Sequence, residues 1–255
     1  MTNPKPLRRS PRSAARLRLA AGLLAVAAAG AALAQTPSGV GAVTHLSGTL
    51  VVRKADGAMR FLSVKSQIGE GDTLSTERGT YARIKFSDGA EVVLRPQSQI
   101  KVDAYQYDAA QPERDNVLVS LFKGGLRSVT GLIGRRNRNK VLVSSPTATV
   151  GIRGTHFGML FCSNDCASIP TASGQPPPNG LHVDVTDGAI AVRNNAGQQI
   201  INAGQFGYVR DTVSAPAAVP AAQGVQVTMP LAISRNAGAG STLGKERQDN
   251  QCVVP

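Results

Sequence analysis

The sequence predicts an all-β fold: one open domain of short antiparallel strands and hairpins, solenoid-like or sandwich-like in arrangement. Three observations carry this expectation. First, apolar and polar residues alternate with period two, the mark of a half-buried strand. In Tyr81-Ala82-Arg83-Ile84-Lys85-Phe86, the residues Ala82, Ile84 and Phe86 share one face and Tyr81, Arg83 and Lys85 the other. Val117, Val119 and Leu121 repeat the pattern with Ser120 opposite, and Leu181, Val183 and Val185 do so with His182 and Asp184 opposite. Second, Asp-Gly-Ala recurs at Asp56-Gly57-Ala58, Asp88-Gly89-Ala90 and Asp187-Gly188-Ala189, each between strand-like runs. Asp-Gly suits a two-residue hairpin turn because both positions must tolerate positive φ. Third, no window of eleven residues or more between 40 and 211 shows a helical period.

The N-terminus reads differently. Lys5, Arg8, Arg9, Arg12, Arg16 and Arg18 form a positive stretch without acids, followed by an apolar run from Leu19 to Leu33 and the small-x-small triplet Ala32-Leu33-Ala34. This is the pattern of a cleavable secretory signal peptide at residues 1–34, cut between Ala34 and Gln35. The apolar run is short of the roughly 20 residues that span a bilayer, so an uncleaved anchor is the weaker alternative. Arg8-Arg9 invites a twin-arginine reading, but Ser10-Pro11-Arg12 follows it, which favours the general secretory route. The mature protein is then expected in the periplasm or secreted, and not membrane-spanning.

Export changes the meaning of the charge. The whole chain carries 28 basic and 16 acidic residues, a net charge of +12. Six basic residues and no acids lie in the leader, leaving 22 against 16, or +6. A nucleic-acid partner loses most of its support. One local cluster, Arg135, Arg136, Arg138 and Lys140, remains as a candidate contact for an anionic cell-surface polymer or as a solvated loop.

Cysteine usage agrees with export. Cys162 and Cys166 are spaced for a small disulfide-closed loop in an oxidising compartment. A mixed metal site with His156 or His182 is the alternative, though a structural site wants four ligands. Cys252 is left as a free thiol or an intermolecular link. His182 reads as a surface residue on the polar face of its strand. The strand-rich domain is placed at 35–211, with a loop at Thr171–Gly180. An Ala/Pro/Gly-rich tail follows at 212–255, with one further strand possible at Val225–Thr228.

No catalytic motif appears: there is no Gly-x-Ser-x-Gly elbow, no His-Glu-x-x-His and no phosphate-binding Gly-rich loop. The chain is read as a non-enzyme, with no cofactor and no metal. It lacks Trp and holds four Tyr and six Phe, so an aromatic sugar platform is not evident.

Several segments together resemble the FecR domain. They are Gly71-Asp72-Thr73-Leu74-Ser75-Thr76, Ala82 to Leu94 with Asp88-Gly89-Ala90 inside it, Pro96-Gln97-Ser98, Lys123-Gly124-Gly125-Leu126-Arg127, and Ser145-Pro146-Thr147-Ala148-Thr149-Val150-Gly151-Ile152-Arg153-Gly154-Thr155. Ser145 stands where the family usually has Thr. The resemblance implies a periplasmic all-β domain that contacts another envelope protein. Well-known members add a cytoplasmic anti-sigma segment and a membrane helix, and neither is read here. The role expected is an exported interaction or sensing module, with cell-wall or surface-polysaccharide binding as the alternative. Among the motif residues, Asp72 is expected to shape a turn after Gly71, Asp88-Gly89 to form a hairpin tip, and Gly124-Gly125 to permit a bend. Arg153, before Gly154 and Thr155, is expected to pair inside the fold and pin it, with an anionic partner as the alternative.

Overall fold

Fourteen consecutive residues, Asn116 to Val129, form one strand that hydrogen-bonds to four others, and the architecture is arranged around it. The computed structural model describes Thr2, residues 39–169 and 171–230, and Ile233. The expected signal peptide, the Ala34–Gln35 cleavage site and Cys252 lie outside the described residues. From residue 39 onward the described residues belong to one compact unit.

In chain order the strands are β1 (Gly41–Ser47), β2 (Leu50–Arg53), β3 (Met59–Leu62), β4 (Gln67–Ile68), β5 (Thr73–Thr76), β6 (Tyr81–Phe86), β7 (Glu91–Leu94), β8 (Gln99–Gln106) and β9 (Asn116–Val129). A short helix, α1 (Leu132–Arg136), follows. Then come β10 (Val141–Ser144), β11 (Thr149–Ile152), β12 (His156–Cys162), β13 (Gly180–Asp187), β14 (Ala189–Asn194), β15 (Gly197–Asn202), β16 (Phe206–Val209) and β17 (Ala217–Val219).

Pairing sorts these into two runs that share β9. The first sheet runs β4-β1-β6-β7-β9-β12-β13-β16-β17 through the C-terminal half of β9. The second runs β3-β2-β5-β8-β9-β10-β11-β14-β15 through its N-terminal half. Every pairing is antiparallel except β9 with β10. Parallel neighbours need a crossover, and α1 with the turn after it supplies that connection.

The inner faces of both sheets feed one apolar core. Ala82, Ile84, Phe86, Leu126, Phe157, Leu181 and Val183 enter it from the first sheet, and Leu50, Leu74, Ile100, Val119, Leu121 and Val150 from the second. Phe86 stacks on Tyr105 across the gap, with ring centroids 5.2 Å apart. The all-β expectation therefore holds, and of the two arrangements left open the core favours the sandwich-like one. Neither run closes on itself, so the sheets have free edges.

The switch between sheets occurs at Gly124, where φ is +71°. A Cβ there would press on the Ser98 Cα at 2.7 Å. Ser98 is buried and grips the next residue from both sides: its Oγ donates to Gly125 O and accepts from Gly125 N, each at 2.8 Å. Thr76 completes the joint, its Oγ1 donating to Arg95 O at 2.6 Å and accepting from Ser98 N at 2.9 Å.

The Asp-Gly turns depart from expectation. Positive φ is found at Gly57 and Gly89, but not at Asp56 or Asp88. Lys54 O and Phe86 O accept from Gly57 N and Gly89 N, while Lys54 N and Phe86 N donate to Ala58 O and Ala90 O. These are three-residue loops ending in a left-handed Gly, which needs only one residue tolerant of positive φ. Asp187-Gly188 is not a hairpin at all, because β13 and β14 belong to different sheets. After residue 211, the added strand is β17 at Ala217–Val219. Val225 and Val227, which form no strand, are buried at 2% and 0% exposure.

Gly124→Ala should lose about 2–5 kcal/mol, from the left-handed backbone and the contact with Ser98 together. Gly57→Ala, also at positive φ but with open space around it, should lose only about 1–2 kcal/mol. Urea unfolding of both variants checks the difference.

Candidate functional site

A strand face opposite the core should meet solvent when nothing covers it. Here, residues 224–230 and Ile233 lie across the outer face of the first sheet. They alternate like a strand: Val225 and Val227 are buried and Met229 is half-buried, while Gln226, Thr228 and Pro230 are exposed. Val225 and Val227 pack with Leu160 and the Cys162–Cys166 pair. Met229 and Ile233 pack with Val93, Val129 and Tyr81.

The main chain of this strap is held by side chains instead of by a neighbouring strand. Arg127 Nη1 donates to Val227 O at 2.9 Å, and Val227 N donates to Asp184 Oδ1 at 3.0 Å. Arg127 Nη1 also meets Asp184 Oδ2 at 2.9 Å, so one buried ion pair clasps both ends of a single residue. Arg95 Nη1 donates to Thr228 O at 3.2 Å and Arg83 Nη1 to Ile233 O at 3.4 Å. Gly158 makes the approach possible: a Cβ there would lie 2.5 Å from the Val227 Cβ and overlap Asp184 Oδ1.

Arg127 is 1% exposed, and its remaining donors are spent too: Nε donates to His156 Nε2 at 2.8 Å and Nη2 to Thr186 Oγ1. An Nε2 that accepts places the ring proton on Nδ1 and keeps the imidazole neutral. Burial, reinforced by the neighbouring guanidinium, pushes His156 down to about 3. Burial pushes the Asp184 carboxyl up, against the attraction of Arg127. His182 is also buried, contrary to its reading as a surface residue, and burial lowers its pKa. Its Nε2 lies 2.8 Å from Pro178 O and its ring against Tyr208. The alternation placed it on the correct face; the Pro-rich loop then covers that face.

Most motif residues are used by the fold. Gly71 and Asp72 stand at the start of β5, with Asp72 Oδ2 accepting from Gly69 N and Lys54 Nζ, each at 2.7 Å. Asp88 does more than end a hairpin. Its Oδ1 accepts from Ala90 N at 2.9 Å and from the Tyr105 hydroxyl at 2.7 Å, and its Oδ2 from Ile133 N at 3.3 Å. It thereby ties the tip with Gly89 to the crossover helix. Burial, then the Asp88 charge, pushes the Tyr105 hydroxyl up. Thr155, after Gly154, exchanges hydrogen bonds with Thr130 Oγ1 at 2.9 Å in both directions.

Arg153 runs against expectation. It is exposed, and its side chain makes no hydrogen bond or ion pair with the described residues, so it does not pin the fold. The buried pinning arginine is Arg127, which stands in the Lys123–Arg127 motif. The signal for it in the sequence is an Arg in the C-terminal stretch of a strand, between Leu126 and Ser128 and two residues before Val129.

The basic cluster is divided by the fold. Arg136 pairs with fully buried Asp115 at 2.6 Å, donates to Asp108 O at 2.7 Å and lies over the Tyr107 ring. Lys140 Nζ donates to Glu113 O at 2.9 Å. Arg135, Arg136 and Arg138 are all exposed, and of these Arg135 and Arg138 make no side-chain hydrogen bond or ion pair with the described residues. Cys162 and Cys166 form a disulfide with Cα atoms 5.5 Å apart. Among the described residues no three His, Cys, Asp or Glu side chains gather as a metal site, and no helix is long and apolar enough to cross a membrane.

Two outcomes follow from this geometry. Arg127→Ala strands the Asp184 charge and should cost about 3–5 kcal/mol, whereas Arg153→Ala should stay within about 0.5 kcal/mol of the parent by thermal unfolding. His156 titrates in the unfolded chain near its ordinary 6.5 but not in the folded one until about 3. Stability is therefore lost as pH falls through that window, at about 1.4 kcal/mol per unit. Asp184, raised by burial, contributes with the opposite sign, so the measurable quantity is a difference. The stability of the parent minus that of His156→Gln should fall with that slope between pH 6 and 4. A slope common to both proteins would contradict the assignment.

Comparison with known proteins adds the family. A family model described as FecR protein matches residues 72–190. Two solved structures of a candidate anti-sigma factor from Parabacteroides distasonis show 16% and 15% identity, each with a TM-score of 0.44. They cover 65% of this chain in both cases, and this chain spans 64% and 65% of theirs. A structure described as a cell surface anchoring domain is 30% identical over 25% of this chain and 83% of its own, with a TM-score of 0.24. No curated protein matches the chain significantly. The family match spans the strands from β5 into β14 and the motif residues from Asp72 to Thr155: over residues 72–190 the chain matches the FecR protein family.

Proposed function

We propose that this chain is an exported, non-catalytic FecR-type module that binds another protein of the cell envelope in signalling or sensing. Export rests on the signal-peptide pattern of residues 1–34, and the envelope setting on the FecR match. The polar motif side chains support a binding role over a chemical one. Asp72, Asp88, Ser98 and Thr155 are each committed to backbone groups and do not converge on a shared cleft.

The observation that carries the reading is strand β3. It pairs with β2 on one side only and is an edge of the second sheet. Met59 and Phe61 share one face of it and are 70% and 80% exposed. An exposed edge with apolar side chains offers unpaired backbone groups and contact area to an added strand. Surface-polymer binding is the second reading. It is favoured by exposed Arg135 and Arg138, though Arg136 and Lys140 are engaged within the fold.

A photo-crosslinking residue at position 61, in cells, should yield a discrete protein adduct, lost when Met59→Ser is added. Recovery of polysaccharide alone would reject the protein-binding reading. Salt-sensitive cosedimentation with peptidoglycan, abolished by Arg135→Ser with Arg138→Ser, would support the second reading.

A further inference from the structure

The strap groove has the construction of a binding site whose occupant belongs to the same chain. A segment that merely closed a sheet edge would join the ladder. Residues 225–230 instead lie across a sheet face and form no strand, and their backbone is read by Arg127, Arg95 and Asp184. Guanidinium donors aimed at carbonyl oxygens, and a carboxylate aimed at an amide, recognise an extended main chain whatever its sequence. Selectivity comes from the side chains pointing down at every second position. Val225 and Val227 enter an apolar patch of Leu160 and the disulfide, and Met229 enters another beside Val93 and Val129.

Two cavities adjoin the strap or the residues that hold it. A cavity of about 290 Å³ opens beside Val225, lined by Pro176, Pro177, Pro178, His182 and Tyr208. A second cavity of about 160 Å³ is lined by Arg95, Lys123, Leu160, Cys166 and Ile169, of which Arg95 and Leu160 also touch the strap. The recognition surface is thus broader than the segment that covers it.

We infer that the outer face of the first sheet is a peptide-binding groove, held shut in cis by residues 224–230 and Ile233. In trans it takes an extended, uncharged segment of a partner protein with apolar β-branched residues at alternate positions. This goes beyond the edge-strand reading, because it lies on the other sheet and uses side-chain recognition of the backbone. The partner segment displaces the strap and takes over the clasp of Arg127 and Asp184. An incoming peptide sees the groove only in the fraction of molecules whose strap is lifted, so its apparent affinity is lowered by that fraction.

The probe is a fluorescent synthetic peptide with the sequence Gly224 to Ile233. The intact chain and a double variant, Val225→Asp with Val227→Asp, are titrated with it. The double variant should bind saturably, and the intact chain should bind at least about tenfold more weakly because its own strap competes. A peptide carrying Asp at the same two positions should not bind either protein. A double variant that melts cooperatively yet ignores the peptide overturns the proposal. So does a double variant that forms dimers with the parent chain in preference to binding peptide, which would assign the groove to a second copy.

Should the double variant fail to fold, hydrogen exchange on the intact chain decides. The Val227 amide should exchange at least about tenfold faster than those of Phe157 and Met159 in β12, reporting local lifting of the strap. Exchange of Val227 at the rate of the core would mean that the strap opens only on global unfolding, and would overturn the proposal. Crosslinking at position 61 reads the opposite sheet, so its success or failure is independent of these results.

Discussion

The structure depends on one strand belonging to two sheets. Among the described pairings, β1 to β8 hydrogen-bond only among themselves and to β9, and β10 to β17 do the same. Four strands from each half of the chain flank β9 in each sheet. The constraint that makes this possible is local. Gly124 takes a left-handed turn, and the Ser98 hydroxyl satisfies both polar groups of the Gly125 backbone where the ladder changes sheets. A buried backbone that leaves one ladder before joining another needs such a partner. The Gly-Gly and Pro-x-Ser segments of the family pattern, distant in sequence, are the two sides of that joint.

Much of the fold was legible because alternation is a direct record of which side chains meet the core. The inward sets at Ala82–Phe86, Val117–Leu121 and Leu181–Val185 are all buried where the period placed them. The opposite faces were not legible. Period two separates two faces but does not say whether the second is wet. His182 and Asp184 are polar, sit opposite the core and are nonetheless buried, because cover arrives from Pro178 and Val227. The strap itself looked like tail composition, since Ala, Pro and Gly dominate around it; the possible strand at Val225–Thr228 marked two valines that prove buried, but they lie on a sheet face and form no strand.

Charge reading failed in a related way. The cluster from Arg135 to Lys140 looks uniform in one dimension. The crossover between parallel strands folds it so that Arg136 reaches Asp115, while exposed Arg135 and Arg138 find no partner among the described residues. The pinning role expected of Arg153 falls to Arg127, to which motif reasoning gave no role of its own. An arginine beside Gly154-Thr155 invites a structural reading, yet the buried guanidinium is that of Arg127, between Leu126 and Ser128 on β9. Desolvation makes such a residue costly unless every donor finds an acceptor, and around Arg127 the acceptors are His156, Asp184, Thr186 and the strap.

The shared strand has a consequence for folding order. Because β9 lies in mid-chain, neither half can complete either sheet on its own: the first eight strands await residues 116–129, and the last eight have nothing to join until those residues are in place. Loop closure onto a single central element couples the two halves, so they should gain and lose structure together instead of as independent subunits of stability. A cut in the Tyr107–Asp115 segment would leave β9 with the second half, and the first half would be left with two open edges and an incomplete core.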